Sequence, residues 1–435
     1  MPPRRPHRSQ TPKARLIATP AGPLQVESLG GEGDGVVHLP DGGVLHLVGA
    51  LPGETVRLRA GPEGPVLDEI LLASPDRTTP PCPHFGACGG CALQHLEESA
   101  ALDWKVERLR ATLALERLET EILPVVRTVP GGRRRAALHV RRGTSKAEAR
   151  IGFKARRSWN LVDITECAVL NPAIEHALPS LQRLAAPLLE HPRSAPALHV
   201  TLSDEGLDID VTGVEARSGG LSADARQAVA ALAAEAGIAR LTLSGEPLFL
   251  QRQPTLRIGR ARVALPPGAF LQADPAAEAA MVAEACSAVA GARRIADLFC
   301  GLGAFTFPLA AIAPVLAADG SGPAVQALAA AVCTAPGLHG ITAETRDLFR
   351  RPLLASEMKR IDAVVFDPPR AGAIAQSEEI AKSGVARVVG VSCNPATFAR
   401  DARRLVDGGF RLRSIRPVDQ FLWSTHLELV AVFDR

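Results

Sequence analysis

The stretch RRIADLFCGLGAFTFPLA (293–310) constrains the fold more than any other part of this 435-residue chain. Ile295, Ala296, Leu298 and Phe299 suit a buried strand, and a helix is expected after the glycines. Gly301 and Gly303 between them permit a tight turn and close approach of backbone to a ligand. From about residue 275 onward, strands and helices alternate, the βαβ rhythm of a parallel sheet covered on both faces. The next strand, PVLAAD (314–319), ends on Asp319, where a carboxylate can accept hydrogen bonds from both ribose hydroxyls of a nucleoside cofactor. The loop reads Asp-x-x-x-Gly-x-Gly rather than Gly-x-Gly-x-x-Gly. That pattern favours S-adenosylmethionine over a dinucleotide.

Three further strand ends point to the same edge of the sheet. AETRDLF (343–349) offers Asp347, placed to meet an adenine edge. IDAVVFDPPRAG (361–372) is an apolar strand ending in Asp367-Pro368-Pro369-Arg370, whose two prolines pin the backbone after the acid. RVVGVSCNPATFAR (387–400) ends its strand on Cys393, and Pro395 starts the next helix. Ligands of open α/β sheets bind at the carboxyl ends of the strands. Asp367 and the Cys393 thiol are therefore expected to face one crevice, with the thiol as a reactive centre rather than packing.

Cysteine usage divides the remainder. There is no secretory signal and no apolar run of roughly 18 residues, so a reducing cytoplasm and no membrane are expected. CPHFGACGGC places Cys82, Cys88 and Cys91 at metal-ligand spacing, with Cys167 in DITECAVLNP the nearest cysteine for a fourth position and His84 and His95 as rivals. Four thiolates suit zinc or an iron–sulfur cluster equally well. Cys286, Cys300 and Cys333 lie in apolar contexts and read as packing.

Net charge is only +3, but its distribution is uneven. MPPRRPHRSQTPKARL at the start carries five Lys/Arg and no acid, and GGRRRAALHVRRG (131–143) carries five Arg. Such arms and stripes are the footprint of polyanion binding. Residues 1–15 read as a disordered basic tail, and 16–74 as short strands cut by glycine, a small β-barrel. Residues 75–265 follow as a central α+β domain that opens on a proline-rich linker and the cysteines and includes a helix over about 97–118. Residues 266–435 form the α/β domain.

Taken together, these motifs resemble the uridine-C5 RNA methyltransferases, and most the iron–sulfur branch acting on large-subunit ribosomal RNA. The resemblance rests on LPGE (51–54), SPDRTTPPCPHFGACGGCALQHL, FLQAD (270–274), DLFCGLGAFTFPLA, DPPRAG, SCNP and HLELVAVF, in order along nearly the whole chain. It implies a C-terminal class I, Rossmann-like methyltransferase domain, an N-terminal OB-like TRAM barrel and a central iron–sulfur domain. It implies Cys393 as nucleophile and Glu428 as base, with Gln272, Phe299, Asp319, Asp347 and Asp367 lining the cofactor and uracil site. It also implies Cys82, Cys88, Cys91 and Cys167 as ligands of a 4Fe–4S cluster, and packing of the helix after the cysteines with the catalytic domain. The implied reaction makes 5-methyluridine in RNA, most of all 23S rRNA, with the barrel, the tail and the clusters Arg133–Arg135 and Arg141–Arg142 gripping the backbone. A monomer is expected. Transfer RNA as target, or a non-catalytic RNA-binding assembly factor, are the alternatives. Three positions depart from the family: Ala304 where Asn is frequent, Asp319 where Glu is usual, and Leu422-Trp423 in place of a proline.

Overall fold

A computed structural model describes residues 19–62, 64–145, 148–216 and 220–435, so the basic tail lies outside the described residues. The chain forms two compact units. The first comprises residues up to Thr79 together with His95–Glu97. It holds two three-stranded antiparallel sheets, one built on Thr55–Gly61 and Gly64–Leu72, the other on Gly35–His38 and Val44–Leu47. Val26, Val37, Leu45, Leu47, Val56 and Leu58 fill the space between them. Glu54 is buried there and receives Arg77 at 2.6 Å.

The second unit, Pro80–Gln94 and Glu98–Arg435, carries two large sheets. One has seven strands in the spatial order Leu161–Asp163, Ala149–Lys154, Arg135–Arg142, Ala197–Ser203, Gly206–Thr212, Arg240–Leu243, Glu246–Leu250. The amphipathic helix Pro172–Ala185 and the alanine-rich helix Ala223–Glu235 cover it. The stretch ALHVTLSDEGLDIDVTG forms a hairpin, with Ser203 paired to Gly206 at its tip.

The other sheet contains the strands read from the α/β rhythm. Its seven main strands, in chain order, are Ile295–Leu298, Val315–Asp319, Ile341–Thr345, Ala363–Phe366, Arg387–Ser392, Arg411–Asp419 and Glu428–Asp434. Their spatial order is third, second, first, fourth, fifth, seventh, sixth. The first five are mutually parallel, while Glu428–Asp434 runs antiparallel to both neighbours. The inner strands are apolar on both faces, as a doubly covered sheet requires. The short strands Glu121–Ile122 and Val126–Arg127 pair with Arg411–Asp419, so these residues join the α/β sheet rather than the seven-stranded one. Helix Glu98–Leu115 sends Leu109 and Leu113 into the core under this sheet, beside Phe398 and Ile415.

Two local expectations change. The helix after the glycine turn is a single turn, Thr306–Leu309, followed by further turns at Ala311–Ala313. Cys333 is exposed at the end of helix Gly322–Val332, not packed, whereas Cys300 is buried and Cys286 lies against the same core.

Candidate active site

The carboxyl edge of the α/β sheet gathers most of the residues read from the sequence. At the first strand, Gly301 and Gly303 have φ of +52° and +92°, and Phe299 itself sits at +61°. A Cβ on Gly303 would lie 2.9 Å from the Phe307 ring and 3.0 Å from Leu328, so only glycine fits the turn. The Phe299 ring leans against Phe349, 5.5 Å between centroids. Asp319 accepts hydrogen bonds from the backbone N–H of Gly301 (3.0 Å) and of Ser321 (2.7 Å), which fixes its carboxylate beside the glycine turn. Asp347 is exposed just past the third strand and accepts from the N–H of Phe349 and Arg350 in its own following turn. Ala304 is half-buried in the turn.

The reversed last strand sets the centre of the site. Ser392 pairs with Leu429 across the ladder, so the next residues outward, Cys393 and Glu428, stand side by side at the same edge. The turn after Cys393 is tied to the turn after Asp367: Asn394 Nδ2 and Thr397 Oγ1 donate to the Arg370 carbonyl at 3.0 and 3.1 Å. Asn394 also caps helix Pro395–Asp407, with Pro395 in its first turn. Thiol and acids are thus brought together by backbone pairing and turn-to-turn bonds.

A chain of amides links the acids. Gln272 Nε2 donates to Asp367 Oδ2 at 2.9 Å. Gln420 Nε2 donates to Gln272 Oε1 at 2.9 Å and to Glu428 Oε2 at 2.6 Å, while Gln420 Oε1 accepts from the Ala273 N–H at 3.1 Å. Glu428 is 2% exposed. Burial raises its carboxyl, and the nearby Asp367 charge raises it further, against the Gln420 donor. Burial likewise raises Asp367, with Glu278 and Asp319 adding to it against the Gln272 bond. The Cys393 thiol is pushed up to about 11, by burial first and then by Glu428 and Asp367, with Arg370 acting in the opposite direction. Arg370 is the cation that favours the thiolate.

Two residues at this edge were not singled out in the sequence. Gln420 lies in DQFLWSTHLE, and its only signal is its place one residue past the end of a strand facing the Glu428 strand. Asp297 opens the Asp-x-x-x-Gly-x-Gly loop. It is fully buried, takes the Thr306 hydroxyl on Oδ2, and Oδ1 has no partner among the described residues. Burial pushes Asp297 up to about 7, with Asp367 and Asp319 contributing.

The arginines of GGRRR take a different place from the one expected. Arg134 is buried, pairs with Glu278 at 2.6 Å and donates to the Gln272 carbonyl at 3.0 Å. Arg135 donates to the Leu271 carbonyl and lies over the Phe270 ring. Their short-range task is to brace the FLQAD segment, and a buried Arg134 is not available to a phosphate. Arg142 reaches the Leu189 carbonyl and Arg141 its neighbour Val140.

Cys82, Cys88, Cys91 and Cys167 line one cavity of about 380 Å³, whose wall also includes Arg133 and Gln420. Among the described residues, no three of His, Cys, Asp or Glu converge tightly enough for a single metal ion. Cys91 is pushed up to about 12, by burial and then by Cys167, Cys88 and Cys82, against a Gln94 hydrogen bond. His84 bonds to Thr165, not to the thiols, and His95 lies in the other unit. The loop after Cys91 holds the segment following Gln420: the N–H groups of Ala92 and Leu93 donate to the Trp423 carbonyl at 2.8 and 2.9 Å.

Sheet order, a single reversed strand and a ligand edge built on a glycine turn define a methyltransferase-type α/β protein. Residues 255–435 match the family model described as tRNA (Uracil-5-)-methyltransferase. A Caulobacter vibrioides protein named as an uncharacterized RNA methyltransferase is 57% identical, over 95% of this chain and 99% of its own. A Chromohalobacter salexigens protein named 23S rRNA (uracil(1939)-C(5))-methyltransferase RlmD is 35% identical, over 95% of this chain and 89% of its own. The Pyrococcus abyssi tRNA (uracil-54, C5)-methyltransferase, solved with S-adenosyl-L-homocysteine, shares the fold at a TM-score of 0.70 and 22% identity, covering 94% of this chain and 99% of that one. The chain belongs to the RNA uracil-5-methyltransferase family, whose members are SAM-dependent enzymes. No helix among the described residues is long and apolar enough to cross a membrane.

Proposed function

We propose that this enzyme methylates carbon 5 of a uridine in 23S rRNA through a transient bond between Cys393 and carbon 6 of the base. The observation that carries the reading is the place of Cys393 and Glu428 one step beyond the Ser392–Leu429 pair of the reversed strand, with Asp367 joined to Glu428 through two glutamines. Carbon 5 of uracil is a weak nucleophile. Addition of the Cys393 thiolate to carbon 6 turns the ring into an enolate, splitting one hard step into two. S-adenosylmethionine, when bound, supplies the electrophilic methyl group that carbon 5 takes up. Glu428 then removes the proton from carbon 5, the electron pair restores the 5,6 double bond, and the carbon–sulfur bond breaks to return the thiolate. Arg370 favours that thiolate, and burial gives Glu428 the basicity the proton transfer needs. Asp367, held by Gln272, is positioned to bind the uracil edge. The glycine turn, Phe299, Asp319 and Asp347 would hold the nucleoside part of the methyl donor.

The target in 23S rRNA is supported by the relative at 35% identity, which aligns over nearly the whole chain. Transcripts of 23S rRNA and of tRNA, each incubated with the enzyme and analysed for 5-methyluridine, test it: product on tRNA alone overturns the target. RNA carrying 5-fluorouridine cannot lose a proton from carbon 5, so it should trap an adduct on Cys393. Turnover on ordinary RNA without any adduct on the fluorinated one would overturn the covalent reading.

The thiols Cys82, Cys88, Cys91 and Cys167 would hold a 4Fe–4S cluster. Four soft donors around a cavity suit a group with several atoms better than one tetrahedral ion, which needs its ligands about 2.3 Å from a common centre. Buried thiols that repel one another when ionised need such a cationic group to become thiolates. Iron and sulfide analysis of anaerobically purified protein tests this, and stoichiometric zinc without iron would refute it. A cytoplasmic location fits a chain whose cysteines are all unpaired.

A further inference from the structure

The hairpin Ala149–Lys154 and Leu161–Asp163 projects a turn with an unusual composition. Residues 149–162 carry Arg150, Lys154, Arg156 and Arg157 and no acid. The acid that follows, Asp163, already faces Arg150 at 3.4 Å. At the tip stands Trp159, one of only three tryptophans in the chain, 77% exposed. The Lys154 ammonium lies 3.7 Å from the centre of its ring. Large aromatic rings left in water are costly, and they recur where a partner covers them.

The turn is built rather than loose. Ala155 N–H donates to the Asn160 carbonyl at 2.8 Å, Ser158 N–H donates to the Ala155 carbonyl at 3.1 Å, and Arg157 takes φ +51° to close it. Its base is anchored by Ile151 in the core of the seven-stranded sheet. The cysteine loop packs on its side: Gly89 N–H donates to the Lys154 carbonyl at 2.9 Å, and a Cβ on Gly89 would come within 2.9 Å of that oxygen and 3.0 Å of Arg156 N. Only glycine allows the loop between Cys88 and Cys91 to lie so close to the turn.

We infer that the turn Ala155–Asn160 is a docking point for single-stranded RNA, where an unpaired base of the substrate stacks on Trp159 and its phosphates meet Lys154 and Arg157. The chemistry favours nucleic acid over protein. A ring rimmed by cations with no acid in the stretch suits a polyanion with flat faces, and each base has such a face. An apolar protein partner would want apolar neighbours around the ring, which this turn lacks. The inference rests on the reading that the substrate is RNA, and it adds where an unpaired part of that RNA is held.

The test uses the full-length, anaerobically purified protein with Trp159→Ala and Trp159→Phe, and a stem–loop RNA transcript that the wild type methylates. Removal of a stacking ring is expected to raise the RNA dissociation constant and KM about tenfold, since such contacts contribute roughly 1–3 kcal/mol per base. The loss falls on KM rather than kcat, and Trp159→Phe restores most of it. Binding of S-adenosylhomocysteine, measured by calorimetry, stays at the wild-type value and reports that the fold is intact. Unchanged RNA affinity in Trp159→Ala overturns the inference, and so does loss of affinity without rescue by Phe. An acidic peptide that binds the wild type and not Trp159→Ala, with RNA affinity unmoved, assigns the turn to a protein partner and also overturns it. If the wild type itself neither binds nor methylates RNA, the failure lies with the proposed function and not with this turn.

Discussion

The orientation of one backbone N–H decides the orientation of two side-chain amides. Ala273 N–H can only donate, so Gln420 Oε1 faces it and Gln420 Nε2 must face Glu428 and Gln272. Gln272 then presents its own Nε2 to Asp367. Hydrogen bonds donated to a carboxylate favour the ionised form. Removing the donor by Gln420→Leu therefore raises Glu428 further above the ordinary glutamate range. Glu428 in its proposed role works ionised, so activity is lost as pH falls through its pKa, and that acid limb should move to higher pH in the variant. A bond to a charged group contributes about 1.5–3 kcal/mol, or about one to two pH units. The pH profile of kcat/KM measures it, and a limb that stays put or moves down would contradict the amide chain. A companion variant, Glu428→Gln, should stall after methyl transfer and leave RNA attached to Cys393, seen as a band of retarded mobility in denaturing gels. At the glycine turn, Gly303→Ala forces a side chain into φ +92° and against Phe307. S-adenosylhomocysteine should bind it about 5- to 150-fold more weakly, given a strain of about 1–3 kcal/mol.

Among the elements, helix Glu98–Leu115 controls more than its sequence suggests. Its Lys105 is buried, donates to Asp419 Oδ1 at 2.7 Å and to the Phe421 carbonyl at 3.3 Å, and so holds both sides of Gln420. Thr128 adds a bond to the Asp419 carbonyl at 2.7 Å. Burial lowers the Lys105 ammonium and the Asp419 charge raises it. Loss of one partner leaves a buried charge uncompensated, which costs about 3–5 kcal/mol, whereas apolar replacement of both is far milder. Urea unfolding of Lys105→Met against Lys105→Met/Asp419→Leu should show this contrast, and equal losses in the two would argue against a compensated pair. The helix was legible over about 97–118 from its pattern, but its partner stands 314 residues away, a pairing that local periodicity cannot carry. The same limit explains the arginines of GGRRR. They read as a basic stripe because charge is visible in sequence, whereas the carbonyls of Leu271 and Gln272 that receive them are not. By contrast, the strand ends at 319, 367 and 393 were legible because apolar runs that stop at a polar residue have one meaning in a parallel sheet.

Over the whole molecule, charge is segregated although the net value is only +3. RNA affinity should fall steeply with salt, log K against log salt having a slope of about −0.7 for each single-strand phosphate neutralised. Lys154→Ala should make the slope shallower by about that amount, as a titration over several ionic strengths would reveal. The strand Glu428–Asp434 comes after Arg411–Asp419 in the chain yet lies between it and Arg387–Ser392. A growing polypeptide has therefore already made both neighbours before the segment that separates them emerges. The segment that carries the carboxylate beside the sulfur is thus the last of the three to be made. Until that segment takes its place, the thiol stands without the proposed base that would release it from a pyrimidine.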